Sequence, residues 1–362
     1  MSADSGNDED RCTGGGTGPS GAQLLEQLSG LALPDMAMVK AAAAAPPAQR
    51  SKNRRISSLL PPRSHTLPVP NGWYTIVGSA ELLAGDVVSI TAVARDLVVF
   101  RDEAGAAHVF DAHCPHMGAH LGGGRVLGDK LRCRFHGWTY ASDGRCVEIP
   151  YCDARIPPKA RVRSYPVEEK DGFVYFWYHA ADDAPTYSVP AVAEVADPAW
   201  TDAHVWEFEV VAALQEMAEN NVDYAHFKFV HGREAIPLDI SELSLDGPCS
   251  SIVERLPEGM TFERHSYGPG VAVLRFPGLM TFLATTTPID RGNCRLRWHF
   301  HFPKEMESAA ADLVLSVTGK YGFQADVPIW RDMQYRERPM LVKGDGPIME
   351  YRRWYSQFYE GN

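Results

Sequence analysis

Cys114-Pro115-His116-Met117-Gly118-Ala119 is followed, with sixteen residues between its histidine and the next cysteine, by Cys133-Arg134-Phe135-His136-Gly137-Trp138. A C-x-H pair and a C-x-x-H pair make a four-ligand set. Each pair can form a tight loop that turns two side chains toward one metal centre. Outward from them lie short runs rich in Val, Ile and Phe: 87–93, 97–100 and 107–110 before the pairs, 138–140, 146–149 and 172–178 after them. Asp102-Glu103-Ala104-Gly105 and Asp143-Gly144 punctuate these runs. Short strands at this spacing predict an all-β module of about 110 residues, over 68–180, that carries both pairs on its loops.

Two metal groups suit this ligand set. One is zinc with Cys2His2 ligation. The other is a Rieske [2Fe–2S] cluster, in which two cysteines hold one iron and two histidines the other. Three features favour the cluster. Each pair mixes one soft and one imidazole ligand, unlike the Cys-Cys and His-His pairs of a zinc finger. Both pairs sit on loops of a β module. Gly118, Gly122, Gly123, Gly124 and Gly137 let backbone N–H groups approach bridging sulfurs.

Beyond a linker at Asp182-Asp183-Ala184-Pro185 the pattern mixes. Runs 205–211 and 296–302 predict strands, and the spacing of apolar residues predicts helices over 214–230 and 313–333. Together they predict an α+β second domain, 181–362. Its chemistry-bearing segment is Glu219-Asn-Asn-Val-Asp223-Tyr-Ala-His226-Phe-Lys-Phe-Val-His231-Gly232. On one continuous helix Glu219, Asp223 and His226 share a face. His231 then lies about 140° round the axis from His226. Both can bind one metal only if the helix distorts or ends between them, and Gly232 is placed to end it. Two histidines and a carboxylate form the facial triad of non-haem iron(II) sites, which leaves positions open for O2. Asp326 and Asp332 are the later candidates for the carboxylate.

Cys114-Pro-His-Met-Gly-Ala-His120 and Cys133-Arg-Phe-His-Gly-Trp138 resemble the Rieske motif of the ring-hydroxylating and related non-haem iron oxygenases, and the resemblance covers about residues 70 to 362. It implies an all-β Rieske domain followed by an α+β helix-grip (START-like) catalytic domain. It implies Cys114, His116, Cys133 and His136 as cluster ligands, with His113 and His120 outside the set. It implies His226, His231 and Asp326 as ligands of a mononuclear iron, because an aspartate shortly before Ile-Trp330 resembles the family's third ligand. Asp223 then stands at the position that bridges the two metal sites of neighbouring subunits in a homotrimer, its carboxylate accepting from the His226 ring. Ile149-Pro-Tyr151 followed by Ile156-Pro-Pro-Lys-Ala160 resembles the steroid-acting members, and 350–359 resembles the end of the 3-ketosteroid 9α-hydroxylases. The Cys114-Pro-His-Met-Gly-Ala119 loop and Gln215-Glu-Met-Ala-Glu-Asn-Asn-Val-Asp-Tyr-Ala-His226 resemble the cholesterol 7-desaturases. The implied activity is hydroxylation or desaturation of a large apolar polycyclic substrate, a sterol or steroid. O2 is the co-substrate, and a separate ferredoxin or flavin reductase supplies electrons from NAD(P)H.

A net charge of −11 argues against a nucleic-acid partner. No apolar run approaches the roughly 18 residues of a membrane span, and the first residues offer no apolar signal region. Seven scattered cysteines make no disulfide framework and point to a reducing, cytoplasmic compartment. Residues 1–67 are rich in Gly, Ser, Ala and Pro, with five basic residues and no acid over 50–63. They predict a disordered tail whose basic patch can meet a partner or an anionic surface. A different class, an electron carrier whose second domain only binds a ligand, needs no iron triad. It would hold about two irons per chain, where the oxygenase holds about three.

Overall fold

The computed structural model of the protein describes residues 52–233, 236, 241–255, 261–320 and 322–359. Its first half contains β1 (Asn53–Ile56), β2 (Gly72–Gly78), β3 (Val87–Ala92), β4 (Arg95–Arg101), β5 (Ala107–Asp111), β6 (Arg125–Leu127), β7 (Lys130–Arg132), β8 (Thr139–Tyr140), β9 (Cys146–Glu148), β10 (Ser164–Tyr165), β11 (Val167–Lys170) and β12 (Phe173–Tyr178). They form a five-stranded sheet β1-β3-β4-β5-β10, a three-stranded sheet β11-β12-β2 and a four-stranded sheet β6-β7-β8-β9. Every residue of β2 and β12 is buried, because this small sheet lies between the first half and the second. Thr75 on β2 meets the second half directly, its Oγ1 3.1 Å from Thr285 Oγ1 and its carbonyl accepting from Thr287 Oγ1 at 2.8 Å.

Part of the expected tail is ordered. Residues 1–51 lie outside the described residues, but Asn53–Ile56 pairs parallel to β3. Composition cannot foresee this, because the partners are remote and polar. Asn53 Nδ2 donates to the carbonyls of Gly122 and Gly124 at 2.8 and 3.0 Å. Glu209 accepts from Ser58 Oγ and from the Leu59 N–H at 2.8 and 2.7 Å, and Asp290 accepts from the Arg63 N–H at 2.9 Å. The basic patch is partly spent inside the molecule: Arg54 pairs with Asp86 and Arg55 with the ring of His120.

The second half contains α1 (Ala193–Ala196), β13 (His204–Val210), α2 (Leu214–Glu219), α3 (Tyr224–Phe229), β14 (Ser241–Asp246), β15 (Cys249–Arg255), β16 (Thr261–Tyr267), β17 (Val271–Phe276), β18 (Met280–Pro288), β19 (Cys294–His301), α4 (Ala310–Thr318), α5 (Val327–Asp332) and α6 (Ile348–Tyr355). Its strands make one antiparallel sheet, β13-β19-β18-β17-β16-β15-β14. None of its described helices is long and apolar enough to cross a membrane.

Both long helices expected from periodicity are interrupted. The first stops at Glu219 and restarts at Tyr224, because Asp223 leaves helical geometry (φ −83°, ψ 86°) and caps α3 through its carboxylate. Glu219, Asp223 and His226 therefore do not share one helix face. The second stops at Thr318 and resumes as a short 3-10 turn, Phe323–Ala325, before α5. Gly322 sits in that break, where a Cβ would lie 2.1 Å from the Val317 carbonyl oxygen. Pro328 falls in the first turn of α5, where a missing N–H costs nothing.

Asn53 ties β1 to the loop that follows the first Cys-His pair. Asn53→Ala removes the side-chain hydrogen bonds to Gly122 and Gly124 and is expected to destabilise the protein by about 1–3 kcal/mol. The check is a lower urea midpoint with an unchanged slope; an unmoved midpoint would show that β1 is held by other means.

Candidate active site

The two Cys-His loops are built alike. The Cys114 N–H donates to Ala119 O at 2.9 Å, and the Cys133 N–H donates to Trp138 O at 2.8 Å. In each loop the glycine four residues past the cysteine returns a hydrogen bond: Gly118 N–H to Cys114 O at 2.9 Å, Gly137 N–H to Cys133 O at 3.1 Å. Both glycines have φ +75°, a conformation that side-chain-bearing residues seldom adopt. The loops differ only in where the histidine falls, third in one and fourth in the other. That offset brings the imidazoles of His116 and His136 together, ring centres 4.7 Å apart.

Cys114 and Cys133 are buried free thiols. They lie within hydrogen-bonding reach of each other, and burial raises the Cys133 pKa. Two sulfurs thus lie together and two imidazoles lie together. A single zinc would draw all four ligand atoms onto one point. Among the described residues, three or more metal-ligating groups converge within 4.8 Å at one place only, and that place is elsewhere. The donor set fits two irons of different ligation. Sequence spacing passes over the supporting aromatics. The His116 ring stacks on Trp138 at 4.5 Å and 6°, and Trp138 Nε1 donates to Tyr151 Oη at 2.8 Å. Tyr140 Oη lies 2.9 Å from Cys114 Sγ. Only Tyr140's place on the strand after the second loop hints at that contact.

The convergent group is His226, His231 and Asp326. His226 lies inside α3, which ends at Phe229, so His231 escapes the helical phase that would turn it away. The two rings come to 5.0 Å at 74°. Asp326 stands between the 3-10 turn and α5, with Oδ2 3.4 Å from His231 Nε2. Asp332, the other candidate, is exposed and pairs with Arg331 at 2.8 Å. Glu219 is held by Arg352 through two hydrogen bonds of 2.9 and 2.6 Å.

The contact between Asp223 and His226 differs from the expected one. The His226 Nδ1–H donates to the backbone carbonyl of Asp223, not to its carboxylate. The carboxylate Oδ1 instead accepts from the His226 backbone N–H at 3.4 Å. The cap geometry decides this, because it folds the Asp223 side chain over the first turn of α3. The carbonyl contact leaves Nε2 with the free lone pair, as ligand orientation requires. Burial lowers the His226 pKa and so favours the neutral imidazole, the form that can bind a metal.

All three groups open onto a cavity of about 300 Å3 on the sheet face covered by the helices. Leu274, Phe282, Trp298, Phe323 and Trp330 give it an apolar, largely aromatic wall. This arrangement can hold a metal with open positions beside a large apolar molecule.

Comparison with known proteins agrees with this geometry. Residues 72–166 match the Rieske [2Fe-2S] domain family, and residues 176–359 match the 3-ketosteroid 9alpha-hydroxylase C-terminal domain family. The chain is 33% identical to cholesterol 7-desaturase of Caenorhabditis elegans over 81% of its own length and 77% of that protein. It is 31% identical to a probable 3-ketosteroid-9-alpha-monooxygenase oxygenase component of Rhodococcus rhodochrous, over 80% and 79% of the two chains. The fold is that of dicamba monooxygenase bound to dicamba, with a TM-score of 0.64 at 19% identity over 80% of this chain and 97% of that one. With this domain pairing go a Rieske cluster, a mononuclear iron, O2 as co-substrate, and electrons from NAD(P)H through a reductase. The chain belongs to the Rieske non-haem iron oxygenases, with a catalytic domain of the 3-ketosteroid 9α-hydroxylase type.

Proposed function

We propose that this chain oxidises an unactivated C–H position of a sterol or steroid, by hydroxylation or desaturation. In this reading Cys114, His116, Cys133 and His136 hold the cluster. His226, His231 and Asp326 hold the mononuclear iron, and the domain boundary lies near residue 180. The observation that carries it is the aromatic cavity opening on three convergent ligand side chains. The names of the relatives, a cholesterol desaturase and a 3-ketosteroid monooxygenase, point to the same substrate class.

When bound, the metals supply single-electron transfer and O2 activation; the chain supplies the rest. The Asp223 carbonyl orients His226. The aromatic wall excludes water and holds the substrate body. The Glu219–Arg352 pair locks α2 to α6 beside the cavity. Free thiols suit a reducing compartment, the cytoplasm.

The reading includes a ring of three subunits, with the cluster of one chain against the iron site of the next. Both rims carry exposed apolar side chains: Met117, Phe135 and Tyr151 around the cluster loops, Phe229, Ile329 and Met333 on α3, on α5 and just past α5. Two unlike patches on one chain make a heterologous contact that closes by rotation. In such a ring the second oxygen of Asp223 accepts a hydrogen bond from His136 of the neighbouring chain.

His226→Ala and Asp326→Ala are each expected to abolish turnover. Iron content should fall from about three to about two per chain, with the Rieske absorbance unchanged. An Asp326→Ala protein that keeps its third iron would exclude this aspartate as a ligand.

Asp223→Asn keeps the carbonyl and a capping oxygen but loses the charge. It is expected to retain both metals and the trimer while slowing single-turnover oxidation of the reduced cluster by about 10–100-fold. An unchanged rate rules out the bridge, and a fully active monomer rules out the ring.

The substrate class is tested with reductase, NADH and a panel of sterols, 3-ketosteroids and unrelated polycyclic compounds. Product from sterols or 3-ketosteroids is the expected result. Product from the unrelated compounds alone overturns the steroid reading.

A further inference from the structure

Arg264 lies on β16, and its side chain lines the same cavity as the three ligand groups. Its neighbours across the sheet are Ile252 on β15 and Leu274 on β17. Other arginines of this domain meet carboxylates. Arg233 meets Glu254, Arg275 meets Glu194, Arg295 meets Glu209, Arg297 meets Glu81 and Glu207, and Arg352 meets Glu219. Glu254, on the strand beside Arg264, is thereby taken. The Arg264 side chain makes no ion pair or hydrogen bond among the described residues, and its Nε is buried without a partner. The titratable group that faces it is the Tyr351 phenol on α6, which is neutral because burial pushes its pKa up to about 12. Asn221 and Ser250 lie beside that phenol.

A guanidinium stays protonated in a protein. An uncompensated charge in a low-dielectric cavity is costly, and no acid among the described residues pairs with this one. A neutral ketone or hydroxyl can accept one of its N–H groups but leaves the charge standing. A planar oxyanion accepts two in parallel and neutralises it. β16 also lies three strands from β19, which carries Trp298, roughly 14 Å at the usual strand spacing. The cationic group and Trp298 thus stand three strands apart, with Leu274 and Phe282 on the strands between them.

We propose that Arg264 is a specificity-determining residue that binds an oxyanion at one end of an otherwise apolar polycyclic substrate, with Tyr351 and Asn221 beside it. The substrate class becomes a steroid acid or a steroid sulfate ester, whose oxygens present the same chemistry to the guanidinium. This deepens the steroid reading of the cavity and rests on it.

The test is ligand binding to the intact metal-loaded protein, read from the fluorescence of Trp298 and Trp330 in the cavity wall. Two matched pairs are titrated: 5β-cholanic acid with its methyl ester, and cholesteryl sulfate with cholesterol. At least one anion is expected to bind about tenfold or more tighter than its neutral counterpart, ~1.4 kcal/mol. The pair that shows the preference identifies carboxylate or sulfate as the source. Arg264→Met is expected to erase the preference and to leave the melting temperature unchanged or raised, since it removes an unpaired charge. Arg264→Lys is expected to keep part of the preference, which a purely structural role would not produce. The proposal is overturned if each anion and its neutral partner bind the wild type alike, whether or not Arg264→Met folds. If no member of either pair binds, the steroid reading fails and this proposal with it. If the neutral members bind and the anions do not, only this proposal fails.

Discussion

A helix that ran unbroken from Leu214 to Val230 would point His226 and His231 in different directions. The structure depends on the two interruptions that prevent this. Asp223 stops helical geometry and caps a new start through its carboxylate, and α3 ends at Phe229 before His231 is reached. Between these limits lies a helix of six residues, too short to be stable alone. Its position comes from what surrounds it: Val222 and Tyr224 are buried, and Val222 packs with Tyr351, Tyr355 and Phe358. The same logic governs Asp326, which follows a break at Gly322 that no larger residue can occupy. Three groups that could hold a metal converge because three regular elements fail at chosen places.

The ion pairs around the catalytic sheet have a different role. Arg295–Glu209 and Arg352–Glu219 are largely buried, well-formed pairs, and such pairs set geometry more than they add stability. Glu209 also accepts from Ser58 and Leu59, so one carboxylate joins the N-terminal segment, β13 and β19. The acids near the sheet are almost all committed in this way. Arg264 is notable against that background, because a cation without a partner in a cavity creates a demand that a ligand can meet.

In the cluster-bearing half, two near-identical loops do the positioning, and two aromatic groups refine it. Trp138 sits under His116 and Tyr140 beside Cys114. The loop backbones are held by the same pair of hydrogen bonds in each case, so the offset of one histidine by one residue is enough to bring the two imidazoles together and the two thiols together.

Much of this was legible in the chain. The C-x-H and C-x-x-H pairs, their glycines, and the two histidines before Gly232 carry chemistry that depends on residue type and local spacing, which a sequence displays directly. The same holds for strands dense in Val, Ile and Phe, such as β3, β4 and β12. What the sequence could not display depends on remote partners. β14, β15 and β16 are rich in Ser, Glu, Thr and Arg, and become strands because each finds its neighbour in the sheet. β1 lies in a segment of disordered composition and is ordered by Gly122, Gly124 and Asp86. Periodicity indicated a continuous helix through Asp223, whereas packing made it a cap and directed the His226 ring to a carbonyl. Nor does the chain order reveal that Arg264 has no acid partner among the described residues, since that follows only once the described carboxylates around it have been assigned their own partners in three dimensions.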